Sequence, residues 1–311
     1  MNNKIKVAVI GAGFIAHRHL EVIKKIKKFK LIAITSRTYN KAKKIADKFN
    51  IQNVHTNLNE MVLKNNIDCI LVLVSAENMF TTIKKVINLK IPFFFEKPAG
   101  LNFKEAKHLA QLAKKKKVKN MVGLNRRFYS VFESGMKILK KRGGFKGILI
   151  EGHERFWKIE KKINPKIYKN WLYANSIHTI DLLRFFGGEI KKIKSFSCNN
   201  GFSKNFTLAI KFKNNSIGTY VSNWNSPAGW SVTIFGDGYT IKYKPLEVGI
   251  LIDKKFNKKF LKKSTFDRIY KPGFYKQMLE FKKFINSGKL TKPAQDLDGL
   301  LRSVSIIKKI K

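Results

Sequence analysis

The sequence predicts an α/β protein, with a doubly wound parallel sheet in its N-terminal part and a second α/β domain on a mainly antiparallel sheet. Three observations carry that prediction. From Val7 to Leu124, strand-length apolar runs alternate with helical patterns, the order that builds parallel sheets. The first run, Val7–Ile10, ends in Gly11-Ala12-Gly13 and opens directly into a helix. Beyond residue 146, strand-like runs follow one another with turn residues between them, which implies antiparallel pairing. The domain boundary is placed at 124, giving domains 1–124 and 125–311.

The first strand and helix carry the sharpest motif. Gly11-Ala12-Gly13-Phe14-Ile15-Ala16 has the G-x-G-x-x-A spacing of a dinucleotide site, the signature of a Rossmann sheet. Gly11 makes the tight turn, and Gly13 lets a pyrophosphate approach the backbone. Ala16 permits close helix–strand packing, and the N–H groups that open the helix at Phe14, Ile15 and Ala16 hold the phosphates. The second strand, Leu31–Thr35, ends at Ser36-Arg37, with Lys41 and Lys43 beyond. A carboxylate at that place would bind the ribose 2′-hydroxyl of NAD. A hydroxyl and a guanidinium suit a 2′-phosphate better, so NADP is favoured over NAD.

A short strand near Val54 and a helix through Leu58, Met61 and Val62 follow. Ile67–Val74 is a continuous apolar run, as expected of a parallel strand covered on both faces. Ser75 stands at its end, in the crevice where such sheets bind ligands. A helix from Phe80 to Leu89 leads to the strand Ile91–Phe95, which ends in Glu96-Lys97-Pro98. Lys97 is singled out from the other lysines by that strand-end position, and Pro98 is a candidate for a cis peptide bond. Helix Phe103–Ala113, the lysine run 114–117 and strand Asn120–Leu124 complete the first domain.

In the second half, Gly147–Trp157 reads as a strand that turns alternating, with His153, Arg155 and Trp157 on one face and Glu154 and Phe156 on the other. The segment Lys158–Lys169, with Pro165, reads as a loop. A helix through Ile177, Ile180 and Leu183 stops at Gly187-Gly188. Strands follow at Ile193–Cys198, Phe206–Phe212, Ile217–Trp224, Trp230–Phe235 and Tyr239–Tyr243, with turns at Asn214-Asn215 and Gly236-Asp237-Gly238. Asp253–Ser264 suits an edge strand or a loop, and helices from Phe274 and from Asp296 close the chain.

Composition narrows the function classes. The net charge of +44 suggests nucleic acid, yet only nine of the 64 basic residues are arginine, and the lysines are scattered along the chain. Recognition of bases and phosphates favours arginine forks. The joint abundance of Lys, Ile, Asn and Phe fits a compositional bias, so no nucleic-acid partner is expected. No apolar run approaches the roughly 18 residues of a membrane span, and the N-terminal run lacks a cleavable signal pattern. A cytoplasmic protein without a membrane partner is expected. Cys69 and Cys198 are too few for a disulfide framework and lack metal-ligand spacing, so no metal site is predicted.

The ordered set G-A-G-F-I-A, Glu96-Lys97-Pro98, Gly123-Leu124-Asn125-Arg126-Arg127-Phe128 and His178-Thr179-Ile180-Asp181-Leu182-Leu183 resembles the Gfo/Idh/MocA family of NAD(P)-dependent oxidoreductases. The resemblance covers nearly the whole chain. It implies hydride transfer between nicotinamide and a carbinol or keto carbon of a sugar, nucleotide sugar or polyol. It also implies a large open C-terminal sheet through which copies associate as a homodimer or homotetramer. By residue type alone His178 reads as a structural histidine. The resemblance makes it the proton-handling group and makes Lys97 the cation that steadies the substrate oxygen beside the cofactor, with Glu96 adjoining. Asn125, Arg127, His153, Arg155 and Asn175 are candidates to line the substrate pocket, and Asp181 is an orienting or structural carboxylate. One departure stands out. Where many members carry an aspartate four residues before the histidine, this chain has Ala174, and neither Tyr173 nor Asn175 supplies a carboxylate. Two accounts stay open: an oxidoreductase working through Lys97 and His178, or a catalytically silent protein that binds cofactor and ligand.

Overall fold

The computed structural model describes residues 4–159, 163–200 and 203–310. The chain divides into two compact units, Met1–Asn125 with Phe274–Leu301 and Arg126–Gly273 with Arg302–Lys311. The first unit therefore takes back a C-terminal segment that a single boundary at 124 assigns to the second domain.

The first unit is a parallel sheet of β1 (Ile5–Ile10), β2 (Phe29–Thr35), β3 (Asn53–His55), β4 (Cys69–Val72), β5 (Phe93–Glu96) and β6 (Asn120–Gly123). Among the described residues its strand order is β3-β2-β1-β4-β5-β6, every neighbour pair parallel. The order reverses between β1 and β4, which places the crevice of such a sheet at the C-terminal end of β1. Phe93, Phe94 and Phe95 are all fully buried, because a strand covered on both faces has no polar side to show. Helices α1 (Phe14–Ile23), α2 (Tyr39–Phe49), α3 (Leu58–Lys64), α4 (Ala76–Asn88) and α5 (Phe103–Lys115) connect the strands. Two start on asparagine caps: Asn57 accepts from the N–H groups of Asn59 and Glu60, and Asn102 from that of Glu105.

The returning segment completes this core. The carbonyl of Gln295 accepts from the Val122 N–H at 2.8 Å, and the Asn120 side chain accepts from the Leu297 N–H at 2.8 Å. Phe281 packs edge-on against Phe94, with centroids 5.7 Å apart, and Phe274 stacks on His19 at 4.3 Å.

The second unit opens with α6 (Ser130–Lys141), an element absent from the sequence reading. Its stripe runs Val131, Gly135 and Leu139, and the glycine conceals the helical period. A Cβ at Gly135 would collide with the Tyr243 hydroxyl, so the helix needs glycine there. The sheet comprises β7 (Gly147–Gly152), β8 (Ile190–Asn200), β9 (Ser203–Phe212), β10 (Ile217–Ser222), β11 (Trp230–Gly236), β12 (Tyr239–Tyr243), β13 (Gly249–Asp253) and β14 (Lys258–Phe260). Among the described residues its order is β14-β13-β12-β11-β7-β10-β9-β8. Among the described residues only the β7–β10 strand pair is parallel. Ile148 and Ile150 are buried on one face, whereas Ile217 and Phe235, flanking Gly147 in register, are 60% and 44% exposed.

Two readings of this half are corrected. The run Gly147–Trp157 is not one strand: β7 stops at Gly152 and α7 (Phe156–Ile159) follows. The cause is Phe156, 1% exposed and stacked on Trp224 at 4.1 Å, which draws the chain off the sheet. Within Lys158–Lys169, read as loop, Pro165–Lys169 forms a short helix, α8, with proline in its first turn and Asn164 capping the Lys166 N–H. Residues 160–162 lie outside the described residues. The segment Asp253–Ser264 contributes the edge strand β14. Helices α9 (Ile177–Gly187), α10 (Thr265–Ile269), α11 (Phe274–Ser287) and α12 (Leu297–Ile307) complete the chain. No helix among the described residues is long and apolar enough to cross a membrane.

Candidate functional site

In the first unit, a cleft of about 940 Å³ opens at the switch point between β1 and β4. Gly11 forms its floor with φ +109°, a conformation that side chains resist. A Cβ there would lie 2.6 Å from the Leu73 carbonyl oxygen, so the turn excludes every residue but glycine. Gly13 differs: its backbone is extended, and a Cβ would meet nothing within 4 Å. That open space is where a phosphate can reach the main chain. Gly13 also caps α1 without any side chain engaging the first turn, so the leading N–H groups form an anion site with no competing cap.

The cleft wall brings together Gly11, Gly13, Ser36, Arg37 and Ser75. Thr38, Lys41, Asn78 and Lys85 join them, while Lys43 points elsewhere and pairs with Asp47 at 2.6 Å. The wall holds three basic side chains and, among the described residues, no carboxylate. Within α1, Ala16 is fully buried and Ile15 is half-buried, whereas Phe14 is 71% exposed with the Arg18 guanidinium over its ring. None of these three is among the residues that line the cleft.

Glu96 and Lys97 are placed differently from Ser36 and Arg37. Glu96 is buried, and its Oε1 lies 2.8 Å from Nε2 of the fully buried His19. Its carboxylate thus bonds inside the unit, and Glu96 is not among the residues that line the cleft. Lys97 follows at the end of β5, half-buried, and the Lys97–Pro98 peptide is cis.

The second unit has its own cleft of about 610 Å³, lined by His153, Glu154, Arg155, Lys158, Trp171, Asn175 and Trp230, with Lys244–Glu247 on the β12 side. His153, Glu154 and Arg155 all reach it because β7 has ended and strand alternation no longer applies. Asn175 belongs to a π-helical segment, Leu172–Ser176, that runs into α9 and holds the buried Ala174. His178 lies in the first turn of α9, 4% exposed, its ring centroid 6.3 Å from that of Trp230. The Arg126 guanidinium sits 5.0 Å from the centre of the Trp230 ring.

Arg127 has another task. Its Nε and Nη2 donate to the two oxygens of Asp181 at 2.6 and 2.9 Å, with both side chains buried. The Ser303 hydroxyl adds a third bond to Asp181 at 2.6 Å. A planar fork paired in this way ties Arg127 to α9. Asn125, 2% exposed, is likewise buried. Sequence reasoning missed Glu154, Trp171, Trp230 and Lys244 as cleft residues. The pairing of a lone carboxylate with neighbouring histidine and arginine in 153–155 was the available signal.

Comparison with known proteins agrees with this architecture. Residues 5–124 match the Gfo/Idh/MocA oxidoreductase family, described by its NAD-binding Rossmann fold. The Salmonella typhimurium protein YceM is 26% identical over 189 residues, 60% of this chain and 58% of that one. A myo-inositol 2-dehydrogenase of Thermotoga maritima is 27% identical over 124 residues, 40% of this chain and 37% of the enzyme. The aligned segments thus span less than two thirds of either relative. A levoglucosan dehydrogenase structure in complex with NADH superposes with a TM-score of 0.80 over 99% of this chain and 96% of that one, at 14% identity, a likeness of fold.

Replacing Asp181 by asparagine leaves the buried Arg127 charge without its carboxylate. Urea unfolding should show a loss of about 3–5 kcal/mol; a loss below about 1 kcal/mol would mean that the pair is not what holds this region. Residues 5–124 thus match the oxidoreductase family described by its NAD-binding Rossmann fold.

Proposed function

We propose that the protein is an NAD(P)-dependent oxidoreductase moving a hydride between nicotinamide and a carbinol or keto carbon of a sugar, nucleotide sugar or polyol. The observation that carries this reading is the glycine turn: Gly13 leaves open room over the uncapped N-terminus of α1, in a cleft walled by cations and free of carboxylates among the described residues. Those residues fit a dinucleotide. The α1 N–H groups and the Gly13 backbone hold the pyrophosphate. Ser36, Arg37 and Lys41 suit a 2′-phosphate, which favours NADP, since an acidic side chain at the end of β2 would repel it. When bound, the nicotinamide supplies the hydride acceptor or donor.

The chain's own groups handle the proton and the charge. In oxidation His178 takes the hydroxyl proton as the hydride leaves the same carbinol carbon, and in reduction it returns that proton. Lys97 donates a hydrogen bond to the substrate oxygen and lowers the energy of its developing negative charge. Trp230, near His178, offers an aromatic face for a ring-shaped substrate. The second reading, a protein that binds cofactor and ligand without turnover, draws on the buried Ala174, an apolar side chain where the family pattern has a carboxylate.

Lys97→Ala and His178→Ala should each lower kcat/KM on an accepted sugar or polyol by about a hundredfold or more. If no member of a sugar, nucleotide-sugar and polyol panel oxidises or reduces the cofactor in the wild-type protein, the silent-binder reading replaces this one. Cofactor choice has a separate measurement. Arg37→Asp should shift the ratio of NADPH to NADH affinity toward NADH by about tenfold or more. An unchanged ratio would remove Arg37 as the discriminating residue.

A further inference from the structure

Of the six histidines, His19 is the most deeply buried, at 0% exposed. It lies on α1 six residues beyond Gly13, about 9 Å along the helix from the turn, and is not among the residues that line the cleft. Its ring meets two others, stacked on Phe274 at 4.3 Å and edge-on to Phe94 at 5.2 Å. Phenylalanine or leucine would meet such packing as well. What histidine adds is polarity, and it is spent in one place. Nε2 lies 2.8 Å from Glu96 Oε1, while the buried Nδ1 has no hydrogen-bond partner among the described residues. A neutral imidazole has one donor and one acceptor nitrogen, and a carboxylate only accepts. The pattern therefore assigns the proton to Nε2. His19 presents a single N–H, aimed at Glu96.

Glu96 is the last rung of β5. It pairs with Gly123 of β6, the final pair of that ladder, and its Oε1 would lie 3.0 Å from a Cβ on Gly123. Glycine there leaves the carboxylate room over β6. Lys97 is the next residue, and the β5–β6 pairing stops short of it. The chain is fastened again at Leu101, whose N–H donates to Glu105 Oε2 at 2.8 Å. Just before it, a Cβ on Gly100 would lie 2.5 Å from that of Glu105, in the first turn of α5. Segment 97–100 thus runs between two carboxylate anchors, Glu96 bonded to α1 and Glu105 on α5.

A buried carboxylate has to be hydrogen-bonded, and an apolar pair at positions 19 and 96 would fill the same space without that requirement. A hydrogen bond does what an apolar contact does not, since it fixes both distance and direction. Here it joins two particular elements. The uncapped N-terminus of α1 opens at Gly13, in the cleft wall. The helix that offers its N–H groups to the dinucleotide phosphates is therefore bonded, through His19, to the residue that precedes Lys97.

We propose that His19 is a positioning residue: its Nε2–H bond to Glu96 fixes the strand end that carries Lys97 relative to the dinucleotide held at the start of α1. The inference rests on the reading of Lys97 as the cation beside the nicotinamide, and it adds the group that sets that cation's place. His19 touches neither cofactor nor substrate and acts only through Glu96. A displacement of about 1 Å at a reacting group can lower a rate about a hundredfold, so one bond at the base of Lys97 has leverage on what Lys97 does.

The test reads Lys97 directly and needs no substrate. The full chain is acetylated with acetic anhydride, with and without saturating NADH or NADPH, and the rate at Lys97 is followed by mass spectrometry. In the wild-type protein the dinucleotide should slow that rate about tenfold or more. Two variants separate the donor from the packing. His19→Gln keeps an N–H that reaches Glu96 and loses the ring, so its shielding of Lys97 should stay within about threefold of wild type. His19→Phe keeps a ring against Phe94 and Phe274 and loses the donor, so about tenfold of shielding should disappear even at saturating dinucleotide. Either variant decides alone if the other does not fold. Shielding kept by His19→Phe and lost by His19→Gln would make His19 a packing residue and overturn the proposal. Equal shielding in the two variants, kept or lost, would do the same. Wild-type protein that binds the dinucleotide and leaves Lys97 unshielded would instead overturn the placement of Lys97 on which the inference rests.

Discussion

The backbone of Gly11 approaches the Leu73 carbonyl so closely that no side chain fits between them. This constraint ties the end of β1 to the chain leaving β4, at the place where the strand order reverses. It also sets the direction in which the chain enters α1. Because Gly11 turns with positive φ and Gly13 is extended, α1 begins with its N–H groups uncovered by any capping side chain. The strands beneath are buried on both faces, so the turn rests on a rigid floor of Val7, Ala8 and Val9. The cleft opens beside that close approach, between the ends of β1 and β4.

Charge plays opposite parts inside and outside this molecule. The lysine excess is spread over helices, strands and loops and carries little structural information. The few carboxylates do the opposite, since most of the buried ones are partners of particular groups: His19 for Glu96, Arg127 for Asp181, the start of α6 for Asp267. In a buried ion pair such as Arg127–Asp181 losing one partner is costly, while the attraction within the intact pair is set against the desolvation of both charges. The same desolvation applies to Glu154. A carboxylate desolvated in a cleft wall needs hydrogen-bond donors, and its neighbours Ser176 and Asn175 supply them.

Much of the first unit was legible in the sequence because its signals are local. Apolar runs bounded by glycine, proline and asparagine mark β1, β4 and β5, and the spacing from Gly11 to Ala16 marks the cofactor turn. What escaped notice depends on partners distant in the chain. Helix α11 reads as amphipathic, but nothing in its pattern says that Phe281 packs against Phe94. Gly135 hides the stripe of α6 because the Tyr243 hydroxyl, more than a hundred residues away, occupies the space of its side chain. Strand β7 ends early because Phe156 finds Trp224. At the site, Arg37 was readable from its place after a strand. The capture of Arg127 by Asp181 and of Glu96 by His19 was not, since each needs tertiary contact to decide which polar residue is already engaged.

The central claim is that the Gly11–Gly13 turn binds a nicotinamide dinucleotide, and equilibrium titration with NADPH and NADH tests it most directly. Wild-type protein should bind at least one of the two at micromolar concentration, in the range typical of such sites. Gly13→Val, whose added atoms enter open space in the empty protein, should melt within a few degrees of wild type yet bind about tenfold or more weakly. Absence of binding to both dinucleotides, or undiminished binding by the Gly13→Val protein, would contradict the account.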